Sequence, residues 1–163
     1  MKLINNFFKE TDFKELTRQV VWNESFPMYL HDFVSRADPH NLRVGDWFAT
    51  HIVYLHGKTQ SSFHSYLSGL LKPILKWKTL FRVKINFYGY TDKIYEHHMH
   101  TDFDFKHQVA LISLNTCNGF TRLGKKKIDS IANRAIIFNG HISHNSSTCT
   151  NSKGRWNINV NYR

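Results

Sequence analysis

Six histidines of this 163-residue chain, His97, His98, His100, His107, His141 and His144, fall within one stretch. Within it, Tyr95-Glu96-His97-His98-Met99-His100-Thr101-Asp102 places an imidazole two residues before a carboxylate. On a strand, residues two apart face the same way, so His100 and Asp102 can meet one metal ion at about 2 Å each. A third ligand from another strand would complete a set of two histidines and one carboxylate, which suits Fe(II) and leaves positions open for other ligands. His144, in Ser143-His144-Asn145-Ser146, is the candidate. The spacing leaves competitors, because His98 shares the face of His100 on a strand and His141 competes with His144. An all-histidine set would suit zinc or copper. His97 points away from His98 and reads as an ordinary packed or exposed histidine.

Arg155 adds a possible anion anchor, since a guanidinium is a rigid fork that pairs bidentately with a carboxylate. Facing a cavity beside a metal, it would hold the far end of a dicarboxylate. It opens an alternating segment with Arg155, Asn157, Asn159, Asn161 and Arg163 on one face and Trp156, Ile158, Val160 and Tyr162 on the other. Arg82, Lys84, Asn86 and Tyr88 alternate likewise with Phe81, Val83, Ile85 and Phe87. Such segments are strands with two unlike faces. A polar face of this kind ordinarily meets water, and it lines a cleft only where a site exists for it to line.

The elements that must carry these residues follow from periodicity. Phe13, Leu16, Val20 and Val21 predict an amphipathic helix from Thr11 to about Trp22, capped by Thr11-Asp12. Pro27, Asp38-Pro39 and Asn41 mark Asn23 to Gly45 as loop with short structure. Trp47 to Leu55 reads as a strand. A second helix, capped by Ser61-Ser62, runs to about Trp77 on a stripe of Phe63, Tyr66, Leu67, Leu70, Leu71 and Ile74. From Leu80 the pattern becomes short strands: Leu80–Tyr88, Tyr95–Asp102, Val109–Asn115, Phe120–Leu123, Lys127–Ile131, Ala135–Phe138 and Arg155–Tyr162. Turn-separated strands of this kind indicate an antiparallel sandwich or barrel. The expectation is one α+β domain, in which 1–79 is mainly helical and loop support with one strand and 80–163 is the β core carrying the site.

Composition excludes several classes. Apolar residues make up 41% and aromatics 15% of the chain, which excludes a disordered tail and predicts a packed core. Lys and Arg total 22 against 12 Asp and Glu, a net charge of +10 that favours anionic partners: nucleic acid, acidic protein or a small polycarboxylate. Gly124-Lys125-Lys126-Lys127 reads as a hairpin tip, solvated or joined with Lys72, Lys76, Lys78 and Arg82 in a phosphate-tracking patch. Cys117 and Cys149 are too few and too far apart for a disulfide framework, so two buried free thiols in a reducing cytoplasm are expected. The first residues lack a signal-peptide pattern, and no run approaches a membrane span of about 18 apolar residues. There is no Gly-rich phosphate loop, serine nucleophile elbow or paired-cysteine site.

Several segments together resemble a known family. They are His100-Thr101-Asp102, Asn115 to Thr121, Ala132 to Phe138, His144-Asn145-Ser146-Ser147 and Arg155 to Tyr162, with Arg82 to Tyr88 and Thr50-His51. The chain is similar to the Fe(II)- and 2-oxoglutarate-dependent oxygenases, and among them to short prolyl-4-hydroxylase-like proteins of marine bacteriophages. The resemblance implies a double-stranded β-helix, a jelly-roll or cupin-like core braced by N-terminal helices. It implies Fe(II) on His100, Asp102 and His144 as the catalytic centre, with 2-oxoglutarate held by Arg155, Tyr88, Asn86 and Asn157, and Tyr90 as a substitute for Tyr88. The implied chemistry consumes O2 and couples oxidative decarboxylation of 2-oxoglutarate to hydroxylation of a protein, peptide (a prolyl residue among the options) or small molecule. The implied location is cytoplasmic, in the host if the chain is phage-encoded. Arg155 departs from the lysine that many prolyl hydroxylases use for the cosubstrate. Arg155 to Arg163 is also loosely similar to the Arg-x-Asn-x-Thr-x-Arg strand of nucleic-acid dealkylases, so oxidative demethylation of nucleic acid is an alternative. A non-catalytic jelly-roll binding protein is a third.

Overall fold

The computed structural model describes residues 1–34 and 45–163. The strands are β1 (Lys2–Ile4), β2 (Tyr29–His31), β3 (Phe48–Leu55), β4 (Lys58–Thr59), β5 (Leu80–Gly89), β6 (Gln108–Ser113), β7 (Phe120–Leu123), β8 (Lys126–Asp129), β9 (Arg134–Asn139), β10 (His144–Ser146) and β11 (Gly154–Tyr162). Two helices, α1 (Glu10–Val20) and α2 (His64–Leu75), complete the elements. The large sheet runs β1-β9-β6-β11-β5-β3-β2 with β4 beside β3, and a small sheet runs β10-β7-β8. Every named strand pair is antiparallel.

The helices form where apolar spacing predicts them, with different ends. Helix α1 starts at Glu10, with Lys9 in the cap position and no side-chain cap bond. Thr11 and Asp12 therefore sit in the first turn rather than at the cap, and Glu10 and Asp12 complement the positive end of the helix dipole. Helix α2 starts at His64, while the Ser61 hydroxyl accepts from the Phe63 N–H at 3.1 Å. It stops before Trp77 because Lys76 turns into the left-handed region at φ 53°.

The expected helical support is also part of the sheet. Residues 1–79 hold four strands rather than one, and β1 pairs with β9 from the far end of the chain. The predicted loop carries β2 before residue 35, and its stretch 35–44, with Asp38-Pro39 and Asn41, lies outside the described residues.

The large sheet has two chemically distinct faces. Val83 and Ile85 of β5, Ala110 and Ile112 of β6, and Ile158 and Val160 of β11 pack with Leu16 and Val20 of α1 and Leu67 and Leu71 of α2. The helices thus cover the apolar face and place the alternating polar residues inward. On that inner face Arg155 stands opposite Tyr88, Asn157 opposite Asn86, Asn159 opposite Lys84 and Asn161 opposite Arg82. At one side of it Val109, Leu111, Ile136 and Phe138 pack with Leu123 and Ile128 of the small sheet. The polar rows are therefore not solvated: Asn86, Asn157, Asn161 and Arg155 are each at most 1% exposed. Cys117 and Cys149 are buried free thiols, and Gly124 makes the β7–β8 turn at φ 56°. No helix among the described residues is long and apolar enough to cross a membrane.

Candidate metal centre

The segment predicted as a strand from Tyr95 to Asp102 is not one. It makes no regular ladder with the β10 region: its backbone pairing there is limited to isolated bridges, Glu96 with Ser147 and His100 with His144, beside scattered hydrogen bonds. His97 donates its N–H to the Ser146 carbonyl, whereas His100 and His144 exchange N–H bonds at 2.9 Å each. Three residues of one chain segment thus span two of the other, so strict alternation fails between His97 and His100. The competition from His98 falls with it, since His98 is exposed.

What the irregular segment preserves is convergence. Donor atoms of His100, Asp102 and His144 all lie within 4.8 Å of one another. The Nδ1–H of His100 donates to the His98 carbonyl at 3.1 Å, and that of His144 to the Ile142 carbonyl at 3.2 Å. A carbonyl can only accept, so both rings are fixed with Nε2 as the free lone pair, the tautomer a metal ligand needs. His144 Nε2 lies 3.9 Å from Asp102 Oδ2. His141 is exposed and takes no part in this cluster.

The Asp102 side chain is buried and heavily supported. Its Oδ1 is 2.5 Å from Arg82 Nη2, and its Oδ2 accepts from the side-chain amides of Asn159 (3.0 Å) and Asn161 (2.8 Å). Burial alone would push the carboxyl up, but Arg82, His144, Lys84 and Asn161 outweigh it and hold the group well below the usual carboxylate range. Burial, with the His100 ring, keeps the His144 imidazole neutral against the pull of Asp102. A deprotonated acid and two imidazoles whose Nδ1–H groups are already engaged form a donor set that fits a divalent first-row metal.

A narrow cleft of about 30 Å³ opens beside the cluster, lined by Lys84, Asn86, Tyr88, Asn157 and Asn159 of the inner face and by Thr121, Ser146 and Leu111. Tyr90 is 57% exposed, so Tyr88 is the tyrosine that lines it. Behind Thr121 a second space borders Arg155, Ser113 and Arg134. Arg155 is 1% exposed, donates from Nη2 to Thr121 Oγ1 at 2.6 Å and lies 5.6 Å from the Tyr88 ring centre. No carboxylate pairs with it among the described residues, and its Nε has no partner. Asn86 Nδ2 donates to Asn157 Oδ1 at 2.8 Å, leaving the Asn157 Nδ2 without an acceptor among the described residues. A buried cation and an orphaned donor on the two sides of Thr121 fit an anionic ligand.

The residue types alone did not single out Lys84, Thr121, Ser146, Asn159 or Asn161 as site residues. Lys84, Asn159 and Asn161 were visible on the polar faces, but their inward direction depends on the helices covering the other side. Arg82 is not part of a surface patch with Lys72, Lys76 and Lys78, because it is turned inward to Asp102.

No protein-family model matches the chain, and no curated protein matches it in sequence. Solved structures do. A prolyl hydroxylase from Trichoplax adhaerens, in complex with a hypoxia-inducible-factor oxygen-degradation-domain peptide fragment, superposes with a TM-score of 0.68 at 17% identity, over 99% of this chain and 82% of that one. A 2-oxoglutarate-Fe(II) oxygenase family oxidoreductase from Burkholderia pseudomallei gives 0.65 at 12% identity, covering 98% and 84%. The viral collagen prolyl hydroxylase of Paramecium bursaria Chlorella virus-1, solved with 2-oxoglutarate, gives 0.57 at 12% identity, covering 98% and 93%. Across nearly its whole length, the chain has the fold of the 2-oxoglutarate- and Fe(II)-dependent oxygenases.

Proposed function

We propose that the chain is an Fe(II)- and 2-oxoglutarate-dependent dioxygenase, a single domain with a double-stranded β-helix core in 80–163 braced by 1–79. One observation carries this reading: the cleft holding a cluster of two histidines and one carboxylate adjoins, across Thr121, a second space that borders a buried arginine with no acid opposite it among the described residues. Arg155 is a fully buried cation with no acid beside it among the described residues, which costs stability unless an anionic ligand completes it.

His100, Asp102 and His144 would hold Fe(II), and Arg155 would pair with the far carboxylate of 2-oxoglutarate. When bound, Fe(II) supplies the redox chemistry that couples O2 reduction and cosubstrate decarboxylation to hydroxylation. The chain contributes position and charge. Asp102 brings one negative charge, held ionised by Arg82. The two Nδ1–H bonds keep the imidazole lone pairs aimed at the centre. Arg155 is fixed by Thr121 and backed by the Tyr88 ring, so its fork needs little reorganisation to receive a carboxylate. Asn157 Nδ2 adds a neutral donor between the two, with Asn86 fixing its orientation. The walls, formed by the small sheet and the inner face, limit water around the reacting groups. The substrate class is a peptide or small molecule, which matches the peptide held by the Trichoplax adhaerens enzyme.

Anaerobic titration of the protein with Fe(II) and 2-oxoglutarate tests the reading. The expected result is a weak visible charge-transfer band saturating at one iron per chain, with succinate formed on admitting oxygen. Neither band nor succinate would leave a non-catalytic binding protein.

A further inference from the structure

Lys84 is a cation that the proposed chemistry does not use. It projects from the middle of β5 into the same cleft as His100, Asp102 and His144. Among the described residues it has neither a hydrogen bond nor an ion pair. Asp102, the acid whose charge acts on it, is paired with Arg82, and its ammonium lies 5.5 Å from the Phe48 ring centre. Burial, then the charge of Arg82, brings its pKa down to about 7, as expected for an ammonium short of a counter-anion. Phe48 also lines an open groove of about 400 Å³ with Leu30, His31, Asp32 and Val34, and Val34 borders the cleft as well. Lys84 therefore stands where the groove meets the metal cluster, on the opposite side of Asn86 from Tyr88 and Arg155 along β5.

The charges of the cleft can be matched one against another, given the function proposed above. Asp102 answers Arg82. The far carboxylate of 2-oxoglutarate answers Arg155, and its near carboxylate belongs to the metal. Lys84 is left over. We infer that Lys84 is an anion subsite for the second substrate, so that the molecule oxidised carries a carboxylate or phosphate close to the reacting carbon. A lysine is suited to this role because its compact charge accepts either group at many angles. The neighbouring Asn159, whose Oδ1 is buried without a donor, offers an acceptor for a hydroxyl or amide on the same molecule.

The test is equilibrium dialysis with Mn(II) as the metal, 2-oxoglutarate at saturation and labelled inorganic phosphate as the probe. Wild type should take up one Mn(II), one 2-oxoglutarate and one further phosphate per chain. Lys84→Met should keep the first two affinities and weaken the phosphate by about tenfold or more, with Lys84→Arg restoring most of it. Lys125→Met, on the exposed hairpin, should change nothing. If Lys84→Met instead lowers 2-oxoglutarate affinity, the lysine serves the cosubstrate and the inference is overturned. If Mn(II) and 2-oxoglutarate bind but phosphate uptake is the same in wild type and Lys84→Met, the subsite is wrong while the oxygenase reading stands. Failure of Mn(II) and 2-oxoglutarate to bind removes both. Should Lys84→Met not fold, Lys84→Gln gives the same comparison.

Discussion

Arg82 on β5 forms an ion pair with Asp102, and the same carboxylate accepts from two asparagines of β11, so the acid of the candidate metal cluster is held from two adjacent strands. Removing it should have two separable effects. Asp102→Ala takes away the only charged donor of the cluster and should lower metal affinity by about 100-fold or more. It also leaves Arg82 largely buried without a counter-charge, which should cost about 3 kcal/mol of stability. Metal dialysis and urea unfolding read the two independently. One metal still bound per chain in the variant would point to an all-histidine site.

Arg155 should behave differently. Arg155→Lys retains the charge but loses the two-pronged pairing and the bond to Thr121, so affinity for 2-oxoglutarate should fall by about tenfold while metal binding is kept. Arg155→Met should lose more of that affinity. Titrating the charge-transfer band with 2-oxoglutarate at fixed Fe(II) measures this. Unchanged affinity in both variants would place the cosubstrate carboxylate elsewhere.

Much of this site was legible from residue order alone, for a physical reason. The alternation in 82–88 and 155–161 is local, and so is the two-residue step from His100 to Asp102. The direction of the polar face was not local. It is decided by Leu16, Val20, Leu67 and Leu71 covering the apolar side, all of them distant in sequence from β11. The partnership of Arg82 with Asp102 also needs β5 and the loop after it to fold together. Strand β10 is three polar residues, too short and too uniform to show a period, yet its bridge to His100 replaces the strand predicted over 95–102. Strands β1, β2 and β4 have only two or three residues each, and pairing with longer neighbours is what makes them strands.

Gly119 offers a way to disturb Arg155 without touching its charge. A Cβ at this position would lie 2.7 Å from the Thr148 carbonyl oxygen and 2.9 Å from Arg155 Cδ. Relieving the first contact moves the backbone at 119 or 148 and relieving the second moves the arginine stem, so both changes displace Arg155 relative to its surroundings. Gly119→Ala should therefore weaken 2-oxoglutarate binding by about tenfold and leave the metal affinity intact, because a small displacement breaks bidentate geometry. Equal affinities in variant and wild type would show that Arg155 tolerates the shift.

His97 should make the protein acid-sensitive in a defined window. Its ring is buried, takes a hydrogen bond from the Ser146 hydroxyl at Nδ1 (2.8 Å), donates from Nε2 to the Gly45 carbonyl (3.0 Å) and stacks on Tyr88. Burial is the largest influence, and with the charge of Arg155 it brings the pKa down to about 4 against the opposing pull of the Gly45 carbonyl, Asp46 and Ser146. The folded value lies below the ordinary 6.5, so the unfolded chain binds the extra proton first. The stability tied to neutral His97 is present above pH 6.5 and drains away as the pH falls toward 4. Between pH 7 and pH 5 the loss should be about 2 kcal/mol. His144, also shifted down, adds in the same direction, whereas Asp102 loses its contribution only below the ordinary carboxylate range. His97→Gln keeps a donor and an acceptor but cannot be charged, so its urea midpoint should fall less than that of wild type over the same interval. Parallel pH profiles for the two proteins would mean that His97 is protonated in the folded state without penalty.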